Sequence, residues 1–342
     1  MSSSANAAAP AALRGSKISG VFRDLALIPV IVIVFVFGAF FVPNFFTVNN
    51  IVSNILSASA VLGVAVVSQS IVLIGGYFDL SAQSVIGLAP MLMVWLYTTD
   101  GGVGVVPNPF LAILIALVLG AAVGFVNGLL VGRLGMNAFI VTLAMLILLK
   151  GFTLGISAGQ TFTDLPGPVA ALGYANLLGI PVDVLILILV VIIAAVFMRN
   201  APTGRRIYAM GGNKEAARAA GINTLRMTVG LFVFSGILAS FAGLMLSARI
   251  AAVTASQGEN IIFTVFAAAV IGGISLDGGR GTILGAATGV LLLGTIQNIL
   301  VLSSVPSFWI DATYGAIILG ALLIGSTQVR GFFTKLLPSR SR

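Results

Sequence analysis

The chain has 342 residues, 59% of them hydrophobic and only 8% charged, with a formal net charge of +8. A soluble domain carries about 25% charged residues, so water-soluble globular classes are excluded. There is no His and no Cys, which removes the commonest general base and metal ligand, thiolate chemistry and any disulfide framework.

Residues 1–24 are Ser/Ala-rich and weakly basic and read as a cytoplasmic tail. The apolar run at 25–41 is followed by Pro43 and Asn44 without an A-x-A cleavage signal, which predicts a retained first helix. Further apolar runs fall at 52–74, 84–98, 110–131, 138–156, 184–198, 227–248, 261–274, 282–302 and 308–324. Ten spans of about 20 residues each would use roughly 200 residues, close to the apolar total. No segment alternates apolar and polar residues over the length of a barrel strand. The expected fold is therefore all-α: a polytopic membrane helix bundle of about ten transmembrane helices. The run at 261–274 is short and reads as re-entrant or buried by its neighbours. The 41 glycines suit close helix packing in lipid.

The basic residues lie between apolar runs, which favours topology over nucleic-acid binding as their explanation. With the N-terminus inside, the inside segments hold Arg14, Lys17, Arg23, Arg133, Arg199, Arg205, Arg206, Lys214, Arg218, Arg226, Arg280, Arg330, Lys335, Arg340 and Arg342. Only Lys150 and Arg249 fall elsewhere, both near outer span ends, where snorkelling is expected. Both termini are expected to be cytoplasmic, with residues 329–342 as the second tail and 25–328 as the membrane domain. Residues 124–140 align without gaps on 294–310, bringing Asn127 onto Gln297 and Phe139 onto Trp309. The charge count points the two copies in opposite directions, as in transporters built from inverted repeats.

The longest inside loop spans 199–226. Pro202 and Gly204 are expected to end the preceding span. Asn213 is placed to cap a short helix over 214–220, with Glu215 at its positive end and Gly221 closing it. Ala216, Ala217, Ala219 and Ala220 give the helix a small-residue surface, alongside the basic Lys214 and Arg218. It reads either as a contact for a cytoplasmic partner or as an ordinary basic loop. In the segment 74–84, Gly75 and Gly76 break a helix and Ser81 is placed to cap the next. Asp79 beside them is either a polar-substrate or ion ligand or a helix-capping acid. A second Gly-rich turn holds Gly272, Gly273, Asp277, Gly278, Gly279 and Arg280, read as a loop salt bridge or a tight gating turn. Asn54, Gln69, Asn127, Thr142, Gln297 and Asn298 are polar groups inside apolar runs. They are candidates to meet an uncharged polyol, or are interhelical hydrogen bonds. No Walker loop is present, so the chain does not bind ATP in that way.

These segments together resemble the membrane permeases of bacterial ABC sugar importers, the class that takes up ribose, xylose, arabinose and galactosides. The matching stretches are GGYFDLSAQSVIGL (75–88), NGLLVGRLGMNAFIVTLAML (127–146) with Lys150, Gly151, Gly159 and Gln160, GRRIYAMGGNKEAARAAGIN (204–223) and GGISLDGGRGTILGAATG (272–289). The chain departs from the family where an acidic segment is usual: Ile262 and Thr264 stand there, with Glu259 upstream. The resemblance implies an inner-membrane transport subunit without catalysis or cofactor, carrying a neutral monosaccharide or similar polyol. It implies a second permease subunit, identical or sister, two cytoplasmic ABC ATPases gripping the 213–221 loop, and a periplasmic or lipid-tethered sugar-binding protein outside. An ion-coupled secondary carrier of a small polar solute is the alternative.

Overall fold

The computed structural model describes residues 27–325, so the tails assigned to 1–24 and 329–342 lie outside the described residues. Each of the ten apolar runs carries a helix. Helix α1 (Ile28–Phe41) stops before Pro43, and Gly38 leaves room for the buried Phe45 ring. A π-helical turn (Asn50–Leu56) runs into α2 (Ser57–Ile74), whose residues from Ser59 onward are all buried. Helix α3 (Ala82–Tyr97) contains Pro90. Asn108 and Asn137 accept backbone N–H bonds and start α4 (Pro109–Gly132) and α5 (Ala138–Ser157).

The segment between α5 and the next long helix holds α6 (Gly167–Tyr174) and a two-residue hairpin, β1 (Asn176–Leu177) with β2 (Ile180–Pro181). The hairpin turns through Leu178 and Gly179, both at positive φ. Then come α7 (Val182–Asn200), α8 (Pro202–Gly212), α9 (Lys214–Ala219), α10 (Thr224–Ile250), α11 (Ile261–Ile271), α12 (Ile283–Leu302) and α13 (Ser307–Gly325). The π-turn with α2, and α4, α5, α7, α10 and α12, are long and apolar enough to cross a membrane alone; α1, α3 and α11 are shorter apolar helices.

As expected, α7 ends at Asn200 with Ala201 extended just before Pro202, which itself sits in the first turn of α8, where its missing N–H costs nothing. One expectation is corrected: Gly204 does not help to end α7, because it lies inside α8 against the Met198 carbonyl. The run at 261–274 is helical only to Ile271, because Gly272 and Gly273 end it.

The buried centre is α2 and α10. Gly120, Gly124 and Gly128 of α4 face Gly236, Phe232 and Val229 of α10 in turn, so closely that a Cβ at any of the three would meet the α10 backbone. These two helices are therefore antiparallel. Ser68 and Tyr77 bond Ser235 and Thr228, so α2 is also antiparallel to α10. Gly294 lies against Ser59, and Asn298 pairs with Asn50, so α12 runs against α2. It follows that α4 and α12 point in opposite directions. The packing repeats accordingly: α3 and α4 lie on α10 as α11 and α12 lie on α2, and α3 packs on α5 as α11 packs on α13. The sequence copies at 124–140 and 294–310 are thus parts of two inverted halves.

Candidate functional site

Three glycine pairs from distant parts of the chain meet at one end of the bundle. Gly75 and Gly76 follow α2, Gly211 and Gly212 end α8, and Gly278 and Gly279 lie in the turn before α12. A Cβ on Gly211 would overlap the Ile74 carbonyl oxygen and fall 2.8 Å from the Gly279 nitrogen. Gly279 N–H donates to that same carbonyl at 2.8 Å. Gly278, at φ +84°, has Gly76 Cα at 2.7 Å from where its own Cβ would be. Side chains are absent because backbones occupy their places. Tyr208 of α8 adds a hydroxyl bond to the Gly281 carbonyl at 2.8 Å. Within the turn, Ser275 N–H donates to the Arg280 carbonyl and Asp277 N–H to Ser275 Oγ. Asp277 and Arg280 do not form a salt bridge. Among the described residues the ion pair is Lys150 with Glu259, at 2.5 Å.

The loop beyond α8 carries the expected short helix. Asn213 Oδ1 accepts from Ala216 N–H at 2.9 Å. At the other end, Gly221 N–H donates to Arg218 and Ile222 N–H to Ala217, both at 3.0 Å, with Gly221 at φ +82°. This double closure needs a left-handed residue at Gly221. Ala217 is buried beneath α9, while Glu215, Ala216, Arg218, Ala219 and Ala220 are exposed. Lys214 Nζ lies 5.3 Å above the Tyr77 ring, a cation–π contact that ties α9 to the segment after α2. Tyr77 in turn shares a 2.8 Å hydroxyl bond with Thr228 at the start of α10.

A Cβ at Gly221 would meet nothing within 4 Å, so substitution acts through conformation alone. A side chain in the left-handed region costs about 1–2 kcal/mol. Gly221→Val is expected to fray α9 and to weaken any partner that grips it by about tenfold, with membrane abundance unchanged. Gly221→Asn, which tolerates this φ, is expected to keep most of the contact. Quantitative pull-down of the full-length variants checks both.

Two residues past Tyr77, the chain re-enters the bundle as a non-helical segment. Asp79 is 1% exposed. Its Oδ1 accepts from Ser81 N–H at 3.1 Å and Ser81 Oγ at 2.5 Å, and its Oδ2 from Ser235 Oγ at 2.7 Å. The Gln69 amide, oriented to satisfy both groups, donates to the Asp79 carbonyl at 3.1 Å and accepts from its N–H at 3.2 Å. Asn127 Nδ2 donates to Ser81 Oγ at 2.9 Å; its Oδ1 is buried without a partner among the described residues. Thr142 Oγ1 bonds the Ala138 carbonyl, 3.4 Å from the Phe78 carbonyl. Ser81 does not cap α3 as expected: its hydroxyl donates to Asp79 and its oxygen accepts from Asn127 Nδ2 and not from an α3 N–H.

Gln69, Asp79, Asn127 and Thr142 are thus gathered around one segment. The other candidates lie apart: Asn298 exchanges two 2.9 Å amide bonds with Asn50, while Asn54 and Gln297 are exposed. Sequence reading missed Ser235 and Asn50, for which an isolated Ser or Asn gave no signal. Arg133, Arg199, Arg205, Arg206, Lys214, Arg218, Arg226 and Arg280 all sit at the glycine-junction end of the bundle, on α4, α7 and their neighbours there.

An inverted-repeat helix bundle with a broken helix at its centre defines a multi-pass membrane permease. A family model described as branched-chain amino acid transport system / permease component matches residues 51–327, and the chain belongs to that family. It is 34% identical over 290 residues to the ribose import permease protein RbsC of Escherichia coli (strain K12), covering 84% of this chain and 88% of the relative. It is 34% identical to the RbsC protein of Bacillus subtilis (strain 168), over 82% of this chain and 86% of the relative. The L-arabinose ABC transporter permease protein AraH of Azospirillum brasilense is 33% identical over 93% of this chain and 91% of its own length. No solved structure matches the chain significantly.

Proposed function

We propose that this chain forms the translocation pathway of an ATP-driven ABC importer for a neutral monosaccharide or similar polyol, as one of two permease subunits in the bacterial inner membrane. The relatives named for ribose and arabinose import support the substrate class. The observation that carries the mechanism is the contact between the exposed α9 loop and the broken segment at 75–81, made by the Gly76–Gly211–Gly278 junction and by Lys214 over Tyr77. An ATPase gripping 213–221 would displace α8 and α9 as one body, and the junction would pass that movement to the segment holding Asp79. Each nucleotide state then needs only differential contacts at the loop to favour one bundle conformation. The Gly-rich turn at 272–280 acts as the gating element on this route. Gln69, Asp79, Asn127 and Thr142 shape the path, and the unpaired Asn127 Oδ1 offers an acceptor to a passing hydroxyl. A periplasmic or lipid-tethered binding protein supplies capture, so tight binding inside is unnecessary.

The test is uptake of D-ribose and L-arabinose by liposomes holding the permease with its ATPase and binding protein. ATP-dependent uptake that is absent without the ATPase supports the proposal; uptake driven by an ion gradient alone overturns it. In the Cys-free chain, single cysteines at Asn108 and Ala170 are expected to label from outside, and at Asn213 from inside, with both termini cytoplasmic and ten spans between them. External labelling at Asn213 would reverse the assignment.

A further inference from the structure

The two short helices α3 and α11 are each preceded by a non-helical segment, 75–81 and 251–260. The second segment packs on the first turns of α3. Gly258 packs on the Gln83 carbonyl and on Ile86, and Gln257 Nε2 donates to the carbonyls of Ile86 and Gly243 at 3.3 and 3.0 Å. Gln83 and Gln257 both line the space at this contact.

A cavity of about 20 Å³ lies between them, lined by Gln83, Ser84, Lys150, Thr153, Gln257 and Glu259 among others. Ser84, Thr153 and Gln257 are engaged, and Ser256, which also lines the cavity, is exposed. Ser84 Oγ donates to the Leu146 carbonyl at 2.7 Å, Thr153 Oγ1 to Leu149 at 2.9 Å, and Gln257 is held by Ser247. Gln83 is only 9% exposed, and its Oε1 is buried with no hydrogen-bond partner among the described residues. Across the same cavity, Lys150 on α5 pairs with Glu259 on the 251–260 segment at 2.5 Å.

We propose that this cavity is the solute site in its closed state. Gln83 Oε1 accepts a hydroxyl of the sugar, and the Lys150–Glu259 pair is the bar that opens to admit it. The inference rests on the importer reading above. A cavity of this volume holds a water molecule and no sugar, so the site widens before it fills. The pair's side chains are 48% and 43% exposed, so solvent screens it and its opening is cheap. Its two charges cancel, which leaves a pocket suited to a neutral polyol and not to an anion. An acceptor buried without a donor is unfavourable, and a sugar hydroxyl relieves it.

The test uses the full-length Cys-free chain assembled with its ATPase and binding protein. Gln83→Cys is labelled from outside with a membrane-impermeant thiosulfonate. Labelling is expected to be slow with the native pair, about tenfold faster with Lys150→Gln or Glu259→Gln, and slow again when Lys150→Glu is combined with Glu259→Lys. Gln83→Leu is expected to lower uptake of whichever pentose is carried by about tenfold with assembly unchanged, and Gln83→Glu, which keeps the acceptor, to lower it less. Labelling indifferent to the pair removes the bar, and native uptake by Gln83→Leu removes the hydroxyl contact. If the unsubstituted protein carries neither D-ribose nor L-arabinose, the pentose reading fails, while the labelling rates still judge the gated cavity.

Discussion

Gly211→Ala is expected to abolish transport while Gly212→Ala leaves it nearly intact. The two glycines are adjacent and chemically identical, and only the surroundings differ. A methyl group on Gly211 would overlap the Ile74 carbonyl and approach the Gly279 nitrogen at 2.8 Å, whereas on Gly212 it would meet nothing within 4 Å. The obstacles at Gly211 are backbone atoms, which no rotamer change can move. Relief requires α8 to lift from the end of α2 and from the turn that holds Gly279, which separates α9 from the 75–81 segment. Overpacking of this kind costs about 1–3 kcal/mol, enough to shift a two-state coupling equilibrium by roughly one to two orders of magnitude. ATP hydrolysis by the assembled complex is expected to become independent of the binding protein. Uptake and stimulated ATPase activity of the two variants check this. Equal damage at both positions would show that helix propensity, not the junction, is what matters.

The helices were legible because a run of apolar residues of sufficient length leaves few alternatives in lipid, and every run from α1 to α13 lies within a few residues of its helix. Caps at Asn213 and Gly221 were legible for a local reason: both act within four residues of themselves. What distant segments do to each other was not. Five Gly-Gly pairs occur in the sequence, and nothing local says that three of them, through Gly76, Gly211 and Gly278, share one contact. Pro202 marked the end of α7 as read, but the same residue also opens a helix at its first turn, and that helix, α8, was not legible. Ser81 misled because distant groups take both sides of its hydroxyl: the proton goes to Asp79 at 2.5 Å, and the oxygen accepts from Asn127 Nδ2 and not from the N–H groups at the start of α3. The inverted repeat was visible in few matching residues. It becomes plain only in the packing, where α4 on α10 is answered by α12 on α2.

Asp79→Leu is expected to prevent assembly of a stable permease, whereas Asp79→Asn is expected to keep the fold and much of the transport. The carboxyl group accepts from Ser81 N–H, Ser81 Oγ and Ser235 Oγ in a site that is 1% exposed. Leucine keeps the branching of the side chain but is bulkier and accepts nothing, so three donors lose their partner in the bundle interior. Each buried unsatisfied group costs about 1–3 kcal/mol, and the sum approaches the whole stability of an ordinary domain. The 75–81 segment has no helical bonds of its own to fall back on, so it would leave the bundle and take the start of α3 with it. Asparagine keeps one oxygen for Ser81. Its amide faces Ser235 Oγ, which can turn its proton elsewhere and accept, and Ser68 Oγ at 3.1 Å is within reach to compensate. Thermal unfolding in detergent should therefore separate the variants widely, with Ser235→Ala between Asn and wild type because it removes one donor without stranding another. Uptake gives the second readout. A cation-coupling carboxylate would show the opposite split: Asp79→Asn would melt like wild type yet carry nothing. That outcome would make Asp79 an ion site and return the chain to the secondary carriers.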